Sequence, residues 1–290
     1  MKLAFNGLGQ VPSIEHDQAQ HHPQTMKASS SPEAVGLIVP PSNPTLEDEI
    51  SSLIDRSPRI HIARLPYSST ADLAVRNEIY LESYLDAARS FGTLPLRGVI
   101  IGCTGSNYRL GAVEDQRRCE AASAELGLPF MTASLAVLQM IRALGFRKIQ
   151  LELPYPDWLI AQAVAYWQSA GLEVVAHHSI LKKISAQDAY GINVQELEEY
   201  LLQVQPSPDT VVLLSGTGMP TLSAMADRIT SYPAPLISSN LCIAQWLLGC
   251  SDLACETDLY RQLYAKLKSF SMVPEQAAAD NLFNPYGSPQ

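Results

Sequence analysis

The feature that most constrains this chain is an internal repeat. VIIGCTGS (99–106) and VLLSGTGM (212–219) align without a gap, which sets Cys103 opposite Gly216, Thr104 opposite Thr217 and Gly105 opposite Gly218. Further on, PFMTASLAVLQMI (129–141) matches PLISSNLCIAQWL (235–247), pairing Pro129 with Pro235, Leu135 with Leu241 and Gln139 with Gln245. Upstream of each copy an apolar run ends in proline, at Pro40 in GLIVPPSN and at Pro154 in IQLELPYPD, and the intervals Pro40–Cys103 and Pro154–Gly216 agree to one residue. A unit of about 110 residues used twice is too long for a solenoid repeat and fits two similar domains that face each other.

Within each copy, short β-branched runs ending in Pro, Gly or Ser alternate with longer stretches of helical periodicity, the pattern of parallel strands joined by crossover helices. The chain reads as α/β. Strands are expected at 35–40, 59–65, 97–103, 148–153, 173–180 and 209–215, with short ones at the PFM and PLI segments. Segments such as ADLAVRNEIYLESYLDAARS carry apolar residues every three or four positions, the stripe that packs on a sheet. The expected organisation is a flexible leader over 1–32 and a first α/β domain over 33–145, completed by about 240–272. A second domain follows over 146–239, and a flexible tail over 273–290.

With 47% hydrophobic and 17% charged residues the chain can bury a substantial core, which excludes disorder of the whole. The 29 acidic against 20 basic side chains leave a net charge of −9, so no long-range field favours nucleic acid or an anionic membrane. No apolar run approaches the ~20 residues of a spanning helix. MKLAFNGLGQ lacks the apolar stretch of a secretory signal, so a cytoplasmic protein is expected. The five cysteines have neither disulfide-scaffold nor zinc spacing, and free thiols follow. His21 and His22 are adjacent in the leader but have no further ligand at metal spacing.

In parallel α/β sheets the ligand crevice lies at the carboxyl ends of the strands. The loops there are PPSN (40–43), CTGSN (103–107), PYPD (154–157), GTGM (216–219) and SSN (238–240), which hold hydroxyls, carboxamides, a phenol, glycines and one thiol. They contain no Lys, and the nearest arginine in sequence is Arg109. Glycine-rich loops leading into helices offer N–H groups to anions, and hydroxyls add donors, so a carboxylate fits. Cys103 is the side chain of this set with acid/base or nucleophilic capacity near neutrality. Its ordinary pKa is about 8.5, and a helix N-terminus would lower it. Read blandly, Cys103 is a small hydrophobe at a strand end, Tyr155 a half-buried aromatic, and Asn43 and Asn240 caps of the helices that follow. Cys119 and Cys242 fall within helical apolar patterns and read as core, Cys250 and Cys255 lack a partner pair, and His177 and His178 read as packing or solvent-facing. Gly7, Leu8 and Gly9, like Gly216, Thr217 and Gly218, lack the rest of a dinucleotide fingerprint.

From about 34 to 250 the chain resembles the aspartate/glutamate racemase superfamily, and within it the arylmalonate decarboxylase and maleate cis–trans isomerase group. GLIVPPSNPTLEDE and GMPTL are similar to maleate isomerase segments, while CTGSNYRLG and LPFMTASLAVLQMIRALGFRKI are closer to the decarboxylases. The resemblance implies two Rossmann-like domains with parallel sheets related by a pseudo-twofold axis, an active site in the cleft between them, and no metal or cofactor. It places Cys103 at the first-domain catalytic cysteine and Gly216 where racemases carry the second, which speaks against two-base racemisation. It assigns carboxylate binding to Thr104, Tyr155, Thr217 and Gly218, with Pro41, Ser42 and Asn43 from the first loop, and Gly105 stands where the decarboxylases have a hydroxyl that Ser106 would supply.

The leading expectation is a cofactor-independent lyase that decarboxylates a malonate-type acid, with Cys103 protonating the enediolate. Alternatives are cis–trans isomerisation by addition of the Cys103 thiolate, racemisation or tautomerisation of a small acid, and a silent carboxylate-binding protein. The expected partner is a small carboxylic or dicarboxylic acid, and a homo-oligomer is compatible with the sequence. Cys103 and Gly216 are expected on opposite walls of one cleft, and Gly216→Cys is expected to add a second thiol that costs the product its handedness.

Overall fold

The computed structural model describes residues 33–69, 71–228 and 231–273. The leader, most of the tail, His21, His22 and the Gly7–Gly9 segment lie outside these described residues. Eight parallel strands form two four-stranded sheets. The first contains β1 (Ala34–Val39), β2 (Arg59–Arg64), β3 (Val99–Ile101) and β4 (Phe130–Thr132) in the order β2-β1-β3-β4. The second contains β5 (Lys148–Leu153), β6 (Glu173–Ser179), β7 (Thr210–Leu214) and β8 (Leu236–Ser238) in the order β6-β5-β7-β8. The two orders are the same plan used twice.

The registers repeat as well. Val99 pairs with Gly36 and Phe130, and Val212, its counterpart in the repeat, pairs with Gln150 and Leu236. Eight helices matter for the site or its support. In the first half these are α1 (Leu46–Leu53), α2 (Leu73–Arg89), α3 (Ala112–Leu126) and α4 (Ala133–Ala143). They are followed by α5 (Asp157–Ser169), α6 (Val194–Leu201), α7 (Thr221–Arg228) and α8 (Ser239–Gly249), and α9 (Asp258–Lys268) closes the described chain. Helices α4 and α8 start at matching repeat positions, where Thr132 and Ser238 accept the N–H of Leu135 and Leu241. A hydroxyl at that point satisfies a helix donor that has no partner inside the helix.

Strands β1, β3 and β7 carry almost wholly apolar, buried residues, as inner strands covered on both faces require, and β5 is nearly as buried but includes Gln150 and Glu152, whose side chains bond to each other, whereas the edge strands β2 and β6 alternate between partly buried and exposed positions. All eight expected strands form. The run 97–103 yields only Val99–Ile101 as strand, because the residues after Gly102 turn away to build the loop that carries Cys103. The sheets belong to one compact unit, with α8 packed on α1 and α4, and α9 on α1 and α7. No helix among the described residues is long and apolar enough to cross a membrane.

Candidate active site

A cavity of about 410 Å³ opens where the carboxyl ends of the inner strands of both sheets meet, with Cys103, Thr104 and Gly105 on one side and Pro154, Tyr155, Gly216, Thr217 and Gly218 on the other. It is the crevice that parallel strands ending in loops create. Cys103 is 9% exposed, and Ser106 Oγ donates to its Sγ at 3.1 Å. Behind Ser106 the Tyr84 hydroxyl lies 2.6 Å from Ser106 Oγ and donates to Asn107 Oδ1 at 2.7 Å. Asn107 Nδ2 donates to Asp115 Oδ1, and Thr132 Oγ1 and the Tyr166 hydroxyl donate to Asp115 Oδ2. Burial lifts this carboxyl to about 6 against the pull of those donors.

The thiol does not have the lowered pKa expected of a helix N-terminus. Residues 108–110 form a short 3-10 turn and the next α-helix starts only at Ala112, so no helix end reaches the sulfur. Burial instead raises the thiol above its ordinary value, offset in part by the hydrogen bonds from Ser106 and Gly105 and by the positive charge of Arg76. At neutral pH Cys103 is a thiol that can donate a proton.

Gly216 faces the same cavity from the second sheet with φ +131°, and a Cβ there would lie 2.8 Å from Pro154 Cγ and 3.4 Å from the Tyr155 hydroxyl. The expectation that Gly216→Cys simply adds a second thiol therefore meets a cost: the positive φ strains any other residue, and Pro154 would have to shift to make room for a side chain. At Gly218 a Cβ would sit 2.3 Å from the ring of Tyr190, which closes over that glycine.

Thr104 Oγ1 and the Tyr155 hydroxyl are 2.8 Å apart at the cavity wall, and burial keeps the phenol neutral by raising its pKa well above the ordinary value. Thr217 Oγ1 donates to the Gly102 carbonyl at 2.9 Å and accepts from Asn43 Nδ2 at 3.0 Å, so its hydroxyl joins the two sheets instead of pointing a donor at a ligand. The backbone N–H groups of Thr104, Thr217 and Gly218 have no partner among the described residues. With the Tyr155 phenol they form a set of neutral donors suited to a carboxylate or to the two oxygens of an enediolate.

Several sequence candidates stand behind the wall. In the first loop Pro40 and Ser42 line the cavity and Pro41 does not. Asn43 caps α1, accepting from the N–H of Thr45 and Leu46 at 3.0 Å, while its amide reaches Thr217. Ser106 is fully buried and touches the thiol, not the cavity. Asn240 donates to Glu49 Oε2 and to the Thr217 carbonyl from below the site. Cys119 and Cys242 are buried, Cys250 and Cys255 are partly exposed, and His178 pairs with the buried Glu152 away from the cavity. Among the described residues no group of His, Cys, Asp and Glu could hold a metal ion.

The nearest cation to the site is not Arg109, which pairs with Glu78 on the surface, but Arg76. Sequence reasoning also missed Leu73, Asn77 and Tyr80, which line the cavity with Arg76. Their spacing along α2 is the signal, since positions 73, 76, 77 and 80 share one helix face. The rim residues Tyr67–Ser69 and Asp188–Tyr190 left no such trace.

Two like parallel sheets meet at a cavity with a buried thiol, and the family they match is an enzyme family of the decarboxylase and isomerase type. The family model described as arylmalonate decarboxylase matches residues 35–260, and the chain belongs to that family. It is 26% identical over 218 residues to an arylmalonate decarboxylase of Bordetella bronchiseptica, covering 74% of this chain and 88% of that protein. It is 25% identical over 227 residues to a maleate isomerase of Geobacillus stearothermophilus, covering 71% of this chain and 86% of the relative. Among solved structures it is similar to a cysteine-to-serine mutant of the Nocardia farcinica maleate cis–trans isomerase with a covalently bound succinylcysteine intermediate. That likeness has a TM-score of 0.66 and 18% identity, covers 80% of this chain and 98% of the other, and speaks for the fold alone.

Proposed function

We propose that the protein is a cofactor-independent decarboxylase of a malonate-type acid. The observation that carries this reading is a buried, neutral thiol on one wall of the cavity and, on the other wall, a glycine where any side chain would be strained and crowded by Pro154. One substrate carboxylate would be held by the N–H groups of Thr104, Thr217 and Gly218 and by the Tyr155 phenol. The C–C bond to the second carboxylate breaks, carbon dioxide leaves, and the electron pair becomes an enediolate held by the same donors. Cys103 passes its proton to the α-carbon, and the resulting thiolate is reprotonated from solvent. One acid on one face makes the product of a prochiral substrate a single enantiomer. Chiral analysis of the product from a prochiral disubstituted malonate, run in deuterium oxide, tests this: one enantiomer with one deuterium at the α-carbon is expected, and a racemic product would sink the one-faced mechanism.

A second reading is favoured by the guanidinium of Arg76 in the wall, which would hold a carboxylate in place instead of letting it depart. In it the Cys103 sulfur adds to one carbon of an unsaturated diacid and a proton to the other, the new single bond rotates, and elimination restores the thiol and a double bond of the other geometry. Appearance of fumarate from maleate, followed by proton NMR, separates the two reactions.

A further inference from the structure

Helix α2 brings two polar side chains to the cavity wall whose chemistry nothing in the fold uses. Arg76 lines the cavity, and among the described residues no carboxylate lies within ion-pair distance of it. The next residue, Asn77, is 6% exposed, also lines the cavity, and has no hydrogen-bond partner among the described residues. Its Nδ2 lies 3.8 Å from where a Cβ of Gly105 would be, beside the loop that carries the thiol. The amide is not among the buried side-chain atoms sealed off without a partner, so it opens to the cavity with its donors and acceptor free for whatever fills that space.

Local helix energetics give no reason for Arg76. It sits in the first turn of α2, where Asp72 already caps the helix by accepting from the Val75 N–H. That end carries the positive pole of the helix dipole and favours acids, so a cation there is disfavoured by the helix itself. The acid nearest in the lining, Asp188, is turned to the backbone N–H groups of Tyr190 and Gly191. A guanidinium and a carboxamide from one helix face, in a lining whose one acid, Asp188, is already bonded to backbone N–H groups, form a binding site for a second anion.

We infer that Arg76 and Asn77 form a second anionic subsite of the cavity, reading a carboxylate that the substrate keeps throughout the reaction. The inference rests on the carboxylate-binding reading above and holds for either reaction proposed there. A carboxylate lost as carbon dioxide leaves most readily from poorly solvated apolar surroundings, so the group paired with Arg76 is one that stays. The substrate class is then an acid whose product is still a dicarboxylate, and a neutral substituent of the same size is discriminated against. Charge-assisted bonds to a guanidinium set the expected discrimination at about 10-fold or more.

Calorimetric titration with succinate and with butyrate, a diacid and a monoacid of equal chain length, tests the subsite in wild type, Arg76→Gln and Arg76→Lys. Wild type is expected to bind succinate at least ~10-fold more tightly than butyrate. Arg76→Gln should bring that ratio close to one while changing butyrate affinity less than ~3-fold, and Arg76→Lys should retain part of the preference. Arg76 is partly buried, and an unchanged thermal midpoint without ligand shows that the variant is folded. Equal affinity of wild type for the two acids, or equal weakening of both by Arg76→Gln, overturns the subsite while leaving the proposed function standing. Failure of wild type to bind either acid overturns both.

Discussion

Cys103 sits where a short buried strand gives way to a loop, and its environment decides what its sulfur can do. Desolvation outweighs the donors around it, so the proton stays on sulfur at neutral pH. Cys103→Ala is expected to lower turnover by at least ~100-fold, the lower end of what a general acid contributes, with the far-ultraviolet circular dichroism unchanged. In the proposed decarboxylation the acid form is the active one, and burial raises its pKa. The rate should therefore hold through neutrality and fall only as pH rises past the ordinary thiol range of about 8.5, as a pH profile of kcat would record. A rate that declines on passing below pH 8 would indicate a thiolate mechanism instead. Cys103 was legible in the sequence because the repeat singled it out at a strand end. Arg76 and Asn77 were not, because a polar residue on an amphipathic helix reads as solvent-facing until the tertiary structure places a cavity against it.

Among the loops and helices, glycine at 216 is a packing requirement as much as a missing acid. The strand end at Pro154 occupies the volume that a side chain would need, and the positive φ adds strain for any other residue. Gly216→Ala is expected to cost about 1–3 kcal/mol, measured by urea denaturation, through overpacking against Pro154. An alanine tolerated without loss of stability would show that the loop yields, and would reopen the position to a second thiol. The strands were legible because β-branched runs ended by Pro, Gly or Ser leave little else to form. The loop roles were only half legible: Asn43 was expected both as a cap and as a ligand, and its oxygen caps α1 while its amide reaches Thr217. Sequence fixes the chemistry of an amide, whereas its partners depend on chain more than a hundred residues away.

At the scale of the molecule the two sheets are joined under the cavity by groups from both halves. Glu49 in α1 accepts from Thr221 Oγ1 and the Leu222 N–H of α7 and from Asn240 Nδ2 of α8. Thr45 Oγ1 donates to the Gly218 carbonyl, and the Tyr108 and Ser215 hydroxyls pair. The Glu49 carboxyl is buried and its pKa raised, so its three donors hold a group that has left water. Glu49→Ala should cost about 2 kcal/mol or more by leaving Leu222 and Asn240 unpaired. Wild type should unfold in one step, with near-ultraviolet and far-ultraviolet circular dichroism tracing the same curve, because neither sheet can separate without breaking these bonds. Two resolved transitions would mean that the halves fold independently.

A cleft fastened along its floor cannot work like a jaw. The bonds from Thr217 to Gly102 and Asn43 lie between the sheets at the level of the thiol, so wide rotation of one half against the other would tear the site it serves. A way in and out for a ligand is left to the margin of the cavity, which Tyr67–Ser69 of one half and Asp188–Tyr190 of the other both line. Such short surface segments rearrange on the nanosecond-to-microsecond scale, far faster than hinged closure of whole domains. The bonds that tie the halves thus also hold the thiol loop and the Thr217–Gly218 loop against each other, so the width of the cavity is set by the same hydroxyl that fastens its floor.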